Sequence, residues 1–302
     1  MRIPKSLIRM RRRTADFLHG SAVALAYHRV ADVDPDSDPH RLCISPERFS
    51  EHCAAIADRF NTPTLSEVVT ALRTGTVLPR RSVCITFDDG YRDTFTAALP
   101  ILECSEIPLT VFVSTRNVCE QHPPYWDELL ALLPDREAYF AWCAKLEKLS
   151  PDARDEQIAL LRKAQGTPSS ALTAGGCSVT ADELSTFARH QLVTIGGHTH
   201  RHPLLTVLSA EQMQAEIETN QLLLEPLIGY RPSLFAYPYG TADSFDTTTV
   251  AVVQSCGYHA GFTTQWGQIR LGRDLFRLPR IDIASLDVDE ALARIESFFG
   301  TS

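Results

Sequence analysis

Short apolar runs rich in β-branched residues alternate along this chain with longer stretches whose apolar positions recur every three or four residues. Residues 23–27, 82–87, 109–113 and 192–197 are apolar almost throughout, as strands covered on both faces are. Residues 260–263 and 278–283 read as two later strands. Between them, residues 46–58 place Phe49, Cys53 and Ile56 on one face behind a Ser45 N-cap. Residues 64–73 follow, with Thr64 and Glu67 at capping-box spacing. Residues 93–103, 209–227 (Ser209 with Gln212 three on) and 288–299 predict further helices. Strands alternating with helices imply an α/β fold on a parallel sheet, and chemistry gathered at strand C-termini fits a (β/α) barrel.

One region breaks the alternation. Residues 121–179 are mostly helical in pattern and charged, with candidate helices at 127–133, 137–149 and 153–164 and a looser stretch at 166–177. This predicts a helical insertion within a barrel domain spanning residues 21–302. Insertions on a catalytic rim shape substrate choice, which makes Tyr125, Trp126 and Asp127 candidate groove residues. Trp126 reads more simply as a core anchor for the inserted helices.

The chemistry lies where the strands end. After residues 82–87 come Asp88, Asp89 and Gly90, two carboxylates that repel each other unless solvent or a cation stands beside them. The sequence Asp-Asp-Gly is equally good turn chemistry. The strand at 192–197 runs into His198, His200 and His202, three of the ten histidines of the chain within five residues. Two imidazoles and a carboxylate suffice for a catalytic metal that keeps positions open for water and substrate. A helical turn after the strand would put His198 and His202 on one face and turn His200 elsewhere.

The Thr-Phe-Asp-Asp-Gly of residues 86–90, followed about a hundred residues later by His198-Thr199-x-x-His202, resembles the metal-dependent polysaccharide deacetylases, the NodB-homology or carbohydrate esterase family 4 enzymes. Phe235-Ala236-Tyr237-Pro238-Tyr239-Gly240 resembles the family's third motif. The resemblance covers most of residues 21–283 and implies a distorted seven-stranded barrel. It implies that Asp89, His198 and His202 hold a divalent metal, zinc by default with cobalt or nickel possible, and that Asp88 is the general base. In that motif the aromatic residue after proline, here Tyr239, lends a backbone N–H to the oxyanion, with Tyr237 and Pro238 beside it in the substrate groove.

Two family features are missing. The arginine that orients the base is replaced by Ala236, and the late Leu-x-His that supplies the acid is absent from residues 277–283. An amide hydrolase needs an acid, because an amine anion is a very poor leaving group. Tyr27-His28 at the end of the first strand resembles the circularly permuted branch of the family, the poly-N-acetylglucosamine deacetylases among them, and so implies His28 as that acid. Arg280 is a candidate stand-in for the missing arginine. The implied activity is removal of an N-acetyl group from an amino-sugar-containing carbohydrate, either a poly- or oligosaccharide or a nucleotide- or lipid-linked precursor. The same residues would serve a deformylase or an O-acetyl esterase, and a non-catalytic carbohydrate-binding barrel is the more distant alternative.

Composition narrows the setting. A chain of 302 residues, 44% hydrophobic, can bury one large core with an inserted subdomain. The formal charge of −8 argues against a binder driven by nucleic-acid phosphates. Residues 1–20 differ, with Arg2, Lys5, Arg9, Arg11, Arg12 and Arg13 against Asp16: a solvated leader, or a basic segment making peripheral contact with anionic lipid. They lack the apolar stretch of a secretory signal, and no run approaches the ~20 apolar residues that span a bilayer. The eight cysteines contain no C-x-x-C pair and read as reduced, mostly buried thiols. Together these features predict a cytoplasmic protein, which favours a small or carrier-linked amino sugar over a finished wall polymer.

Overall fold

The computed structural model describes residues 20–133, 135–166 and 177–299. The basic leader proposed at residues 1–20 lies, but for Gly20, outside these, as does nearly all of the loose stretch at 166–177. Seven parallel strands form one curled sheet in the order β8–β7–β6–β5–β4–β1–β9. They are β1 (Ala22–Tyr27), β4 (Ser82–Phe87), β5 (Leu109–Val113), β6 (Val193–Gly197), β7 (Leu234–Ala236), β8 (Ala260–Phe262) and β9 (Ile281–Asp282). A small parallel ribbon, β2 (Arg29–Val30) with β3 (Cys43–Ile44), follows β1. The expected strand at 278–283 divides its bonding. Ile281 and Asp282 pair with β1, whereas Leu278 bridges to Phe262 on β8, so this segment draws the two ends of the sheet together.

The strand alternation sorts side chains by size. Val23, Leu25 and Tyr27 of β1 join Val83, Ile85 and Phe87 of β4 in the cluster beneath the surrounding helices. The alternate residues Ala22, Ala24 and Cys84 face Phe112, Ala236, Phe262 and Leu278 in a second cluster inside the barrel. Small residues on the inner face of β1 and β4 let the sheet curl tightly. The same parity carries Thr86 and then Asp88 onto the inner face.

Helices α1 (Pro46–Arg59) and α2 (Leu65–Thr74) begin at Ser45 and Thr64, each of which accepts a backbone N–H three residues on. The helix after the diacid opens with a π-helical stretch, Thr94–Ala98, before α3 (Leu99–Ser105). Helices α4 (Thr115–Cys119), α8 (Ala181–Phe187) and α10 (Thr247–Ser255) carry too short or too mixed an apolar pattern to be expected from sequence. The long helix α9 (Ala210–Ile228) has the anticipated capping box at Ser209 and Gln212, and α11 (Val288–Ser297) closes the described fold.

Between the diacid and the histidine motif stand α5 (Tyr125–Leu132), α6 (Arg136–Leu146) and α7 (Pro151–Gln165), packed around their own cluster of Trp126, Leu129, Tyr139, Leu146 and Ile158. The buried Glu128 of α5 accepts from Arg162 of α7, which ties the first and last of these helices together. The chain leaving them pairs Ser178 with Tyr91 just after the diacid, so the helical unit is anchored at the mouth of the barrel. All eight cysteines are unpaired. Cys53, Cys84, Cys143 and Cys256 are buried, whereas Cys104 and Cys119 are exposed. Among the described residues no helix is long and apolar enough to cross a membrane.

Candidate metal centre and active site

At the C-terminal end of β4 the backbone turns through two successive left-handed residues, Asp89 at φ 71° and Gly90 at φ 79°. Glycine takes that conformation freely, and aspartate is among the few other residues that adopt it, at a modest cost. The turn closes with the Gly90 N–H donating to the Asp88 carbonyl at 3.0 Å. It sends the two neighbouring carboxylates in different directions, both of them buried.

The histidine motif after β6 reaches the expected juxtaposition by another route. Residues 198–204 form an irregular loop rather than a helical turn, with Thr199 at φ 64° and His202 at φ 53°. These two left-handed residues, not helical periodicity, bring the rings of His198 and His202 within 4.8 Å. Five consecutive carbonyls hold the loop. Ser114 Oγ donates to that of His198, Asn220 Nδ2 to that of Thr199, and the Arg116 N–H to that of His200. The Arg154 guanidinium donates to those of Arg201 and His202. Gly197 permits the approach, since a Cβ there would lie 2.1 Å from the Tyr258 hydroxyl. His200 turns away, its Nδ1 3.0 Å from Thr115 Oγ1 and its Nε2 3.5 Å from Glu120.

Asp89, His198 and His202 offer ligand atoms that all lie within 4.8 Å of one another. Asp89 Oδ1 stands 3.5 Å from His198 Nε2 and 3.4 Å from His202 Nε2. Donors about 2.0–2.1 Å from a tetrahedral ion are separated by roughly 3.4 Å, so the spacing suits zinc. Asp89 Oδ1 is buried without a hydrogen-bond donor, an expensive state for a carboxylate oxygen and the expected one for a ligand. The Nδ1–H of His198 donates to the Ala236 carbonyl at 2.8 Å, which leaves its Nε2 lone pair facing Asp89. Burial pushes the His202 imidazole down to about 3, towards the neutral, ligating form, whereas at His198 the neighbouring Asp89 and Asp88 carboxylates outweigh burial and raise the imidazole's pKa. These residues fit a divalent cation.

Asp88 has a different partner. Arg280 is fully buried and meets it with two hydrogen bonds, Nη1 to Oδ1 at 2.6 Å and Nη2 to Oδ2 at 2.7 Å. Its Nη1 also reaches Thr86 Oγ1, its Nε the Thr263 carbonyl, and its guanidinium lies 5.2 Å above the Phe112 ring. Burial alone would raise the Asp88 pKa, but the Arg280 guanidinium outweighs it and holds the carboxyl well below the usual range. The first strand brings a further group alongside. The register pairs Tyr27 with Phe87, and the Asp88 N–H donates to the Tyr27 carbonyl, so His28 leaves β1 beside the diacid.

A family model described as polysaccharide deacetylase matches residues 76–261, from just before the diacid strand to β8. The chain belongs to the polysaccharide deacetylase family. It is 24% identical over 280 residues to the poly-beta-1,6-N-acetyl-D-glucosamine N-deacetylase of Escherichia coli (strain K12), covering 88% of this chain and 37% of that protein. The chain therefore spans little more than a third of the length of this curated relative. Among solved structures, the Streptococcus pyogenes deacetylase PplD in complex with acetate superposes with a TM-score of 0.67 at 19% identity, covering 92% of this chain and 99% of the other. IcaB from Ammonifex degensii gives 0.64 at 18% identity, covering 93% and 98%. At those identities the likeness establishes the shared fold, a distorted (β/α)7 barrel.

Of Tyr237, Pro238 and Tyr239, which the polysaccharide deacetylase pattern sets on the substrate side, the first two are placed differently. Tyr237 is wholly buried, stacks on Phe245 at 4.7 Å and donates its hydroxyl to the Phe276 carbonyl, so it is a core residue and not a groove wall. Pro238 is buried as well, and its carbonyl accepts the Gly240 N–H in the turn that projects Tyr239. Tyr239 itself, at φ 63°, sets its ring 5.0 Å from that of His202 and its hydroxyl 3.0 Å from the Tyr125 hydroxyl.

Several functional neighbours carry no sequence signal. Arg154 belongs to a charged helix in which a buried arginine reads like any surface one, yet it is 3% exposed and stacks 4.7 Å from the Tyr125 ring. Asn220, which donates to the Thr199 carbonyl, and Glu216, which accepts from Arg201, were legible in principle as polar residues on the buried face of α9. Of the residues flagged in the insertion, Trp126 packs 4.8 Å from the His202 ring and donates its indole N–H to the Tyr91 hydroxyl. The Tyr91 hydroxyl in turn donates to Asp127 at 3.0 Å.

Burial, reinforced by the nearby Asp89 charge, pushes the Asp127 carboxyl up to about 6 despite Arg29 and Tyr91. Its folded pKa then exceeds the unfolded value of about 3.9, so stability is lost as pH rises from about 4 through 6. In metal-free protein, Asp127→Asn should melt higher than wild type at pH 8, by a margin that shrinks as pH falls towards 4. Thermal melts across that range check this, and a margin independent of pH would contradict it.

Proposed function

We propose that this chain is a divalent-metal-dependent hydrolase that removes N-acetyl groups from amino sugars of a carbohydrate. The observation that carries the reading is the meeting of Asp89, His198 and His202 around one point, beside a carboxylate that Arg280 keeps ionised. When bound there, the cation would polarise the acyl carbonyl and make hydroxide available near neutral pH. Zinc is favoured by the donor set and its spacing.

The chain's own residues supply the rest. Asp88 takes the proton of the attacking water, whose oxygen bonds the acyl carbon. Arg280 orients Asp88 and holds it in the charged, proton-accepting form. The backbone N–H of Tyr239 stabilises the oxyanion. His28 protonates the departing nitrogen as the C–N bond breaks, and the products are acetate and a free amine. The poly-N-acetylglucosamine activity named for the E. coli relative, which this chain matches along 88% of its length, supports a polymeric or oligomeric substrate over the small precursor that composition favoured.

His198→Ala should lose both bound metal and acetate release, with chelator producing the same loss in the wild type and zinc restoring it. Metal analysis paired with an acetate assay on poly- and oligo-N-acetylglucosamine reads this directly. Equal release of acetate with and without chelator, in variant and wild type alike, would exclude the proposal. Formylated and O-acetylated sugars in the same panel identify the acyl group.

A further inference from the structure

The two histidines of the centre are held unequally. His198 has a protein acceptor for its Nδ1–H, the Ala236 carbonyl, whereas His202 Nδ1 is buried with no partner. Beside His202 lies a small cavity of about 10 Å³, whose lining includes Asn117, Tyr125, Trp126, Arg154 and Asp155. That is room for one water molecule. Two further nitrogens from this lining, Asn117 Nδ2 and Arg154 Nε, are also buried and unpartnered. His202, Asn117 and Arg154 are 8%, 5% and 3% exposed, so none can turn to bulk solvent. A buried polar group left unpaired costs about 1–3 kcal/mol, and three from the walls of one cavity point to a shared hydrogen-bonding partner within it, one that can both accept and donate.

We propose that this cavity is a site for one ordered water that orients the metal ligand His202, with Asn117 of α4 and Arg154 of α7 as positioning residues. With Nε2 of His202 directed at Asp89, the ring proton sits on Nδ1. The water accepts from that Nδ1–H with one lone pair and from Arg154 Nε–H with the other. A half-turn of the Asn117 amide presents its oxygen to one of the water's own protons. The pair thereby fixes the tautomer and tilt of His202, as the Ala236 carbonyl does for His198, and makes the inserted helix α7 part of the metal centre. Metal-site partners at this remove typically govern 10–100-fold in affinity. The inference rests on the metal-binding reading above.

The test is zinc affinity of the full chain, measured by competition with a chromophoric chelator, beside the melting temperature of the metal-free protein. Asn117→Leu removes the polar group and fills the cavity. It should weaken zinc binding by about 10-fold or more while leaving the metal-free melting temperature near wild type. Asn117→Asp offers the imidazole N–H a carboxylate acceptor and should bind zinc at least as tightly as wild type. Arg154→Lys, which keeps the charge and loses Nε–H, should fall between them. A folded leucine variant that binds zinc within twofold of wild type overturns the proposal, as does equal weakening in the leucine and aspartate variants. If the leucine variant does not fold, zinc-loaded wild type decides: the Nδ1–H of His202 should show a nuclear Overhauser contact to bound water, and its absence overturns the site. Failure of wild type itself to bind zinc, cobalt or nickel defeats the metal reading instead, and the inference with it.

Discussion

Asp88→Asn should reduce acetate release by at least the 10²–10⁴-fold typical of losing a general base, while the variant still takes up metal. An amide oxygen can accept a hydrogen bond but cannot hold a proton at neutral pH, so the attacking water keeps its proton. Metal uptake survives because Asp88 is not among the three ligand atoms, and the left-handed turn at Asp89 aims the two side chains apart. The check is steady-state acetate release on an acetylated glucosamine oligomer with parallel metal analysis. Activity within tenfold of wild type would remove Asp88 as base, whereas loss of the metal would show that it shares in the binding.

The second large effect concerns Arg280. Arg280→Met leaves the Asp88 carboxylate buried without its two hydrogen bonds, and breaking a buried pair from one side costs about 3–5 kcal/mol. Since Arg280 depresses the Asp88 pKa, that stabilisation is present above about pH 4 and is lost as pH falls further, once Asp88 takes up a proton. Urea unfolding should therefore show a wide gap between wild type and variant at pH 7 that narrows at the acid end. Activity should fall with it, because the base is neither oriented nor held ionised. The double change Asp88→Leu with Arg280→Met, which removes both charges, should recover most of the stability and none of the activity. A single variant as stable as wild type at pH 7 would reduce Arg280 to an incidental salt bridge.

What could be read in advance follows a physical division. The strands β1, β4, β5 and β6 were legible because burial on both faces demands unbroken apolar residues. The capping residues Ser45, Thr64 and Ser209 were legible because satisfying a free helix N–H is a local matter. The meeting of Asp89, His198 and His202 beside Asp88 was legible because these residue types at this spacing are unusual in so short a span. Tyr237 misled because an aromatic beside proline looks the same whether it lines a groove or stacks on Phe245. The expected helical turn at residues 198–202 failed for a related reason: left-handed φ at Thr199 and His202 is imposed by Ser114, Arg116, Arg154 and Asn220, all distant in sequence.

By itself, then, the order of residues determined the alternation of strand and helix and singled out the candidate site residues, since both depend on periodicity and residue type over a few positions. Only the tertiary structure decided that Arg280, 192 residues from Asp88, meets that carboxylate with two hydrogen bonds, and that an inserted helix braces the histidine loop through Arg154. Those contacts arise from closing the barrel, which brings segments together by shape and burial, and no short stretch of sequence encodes that proximity.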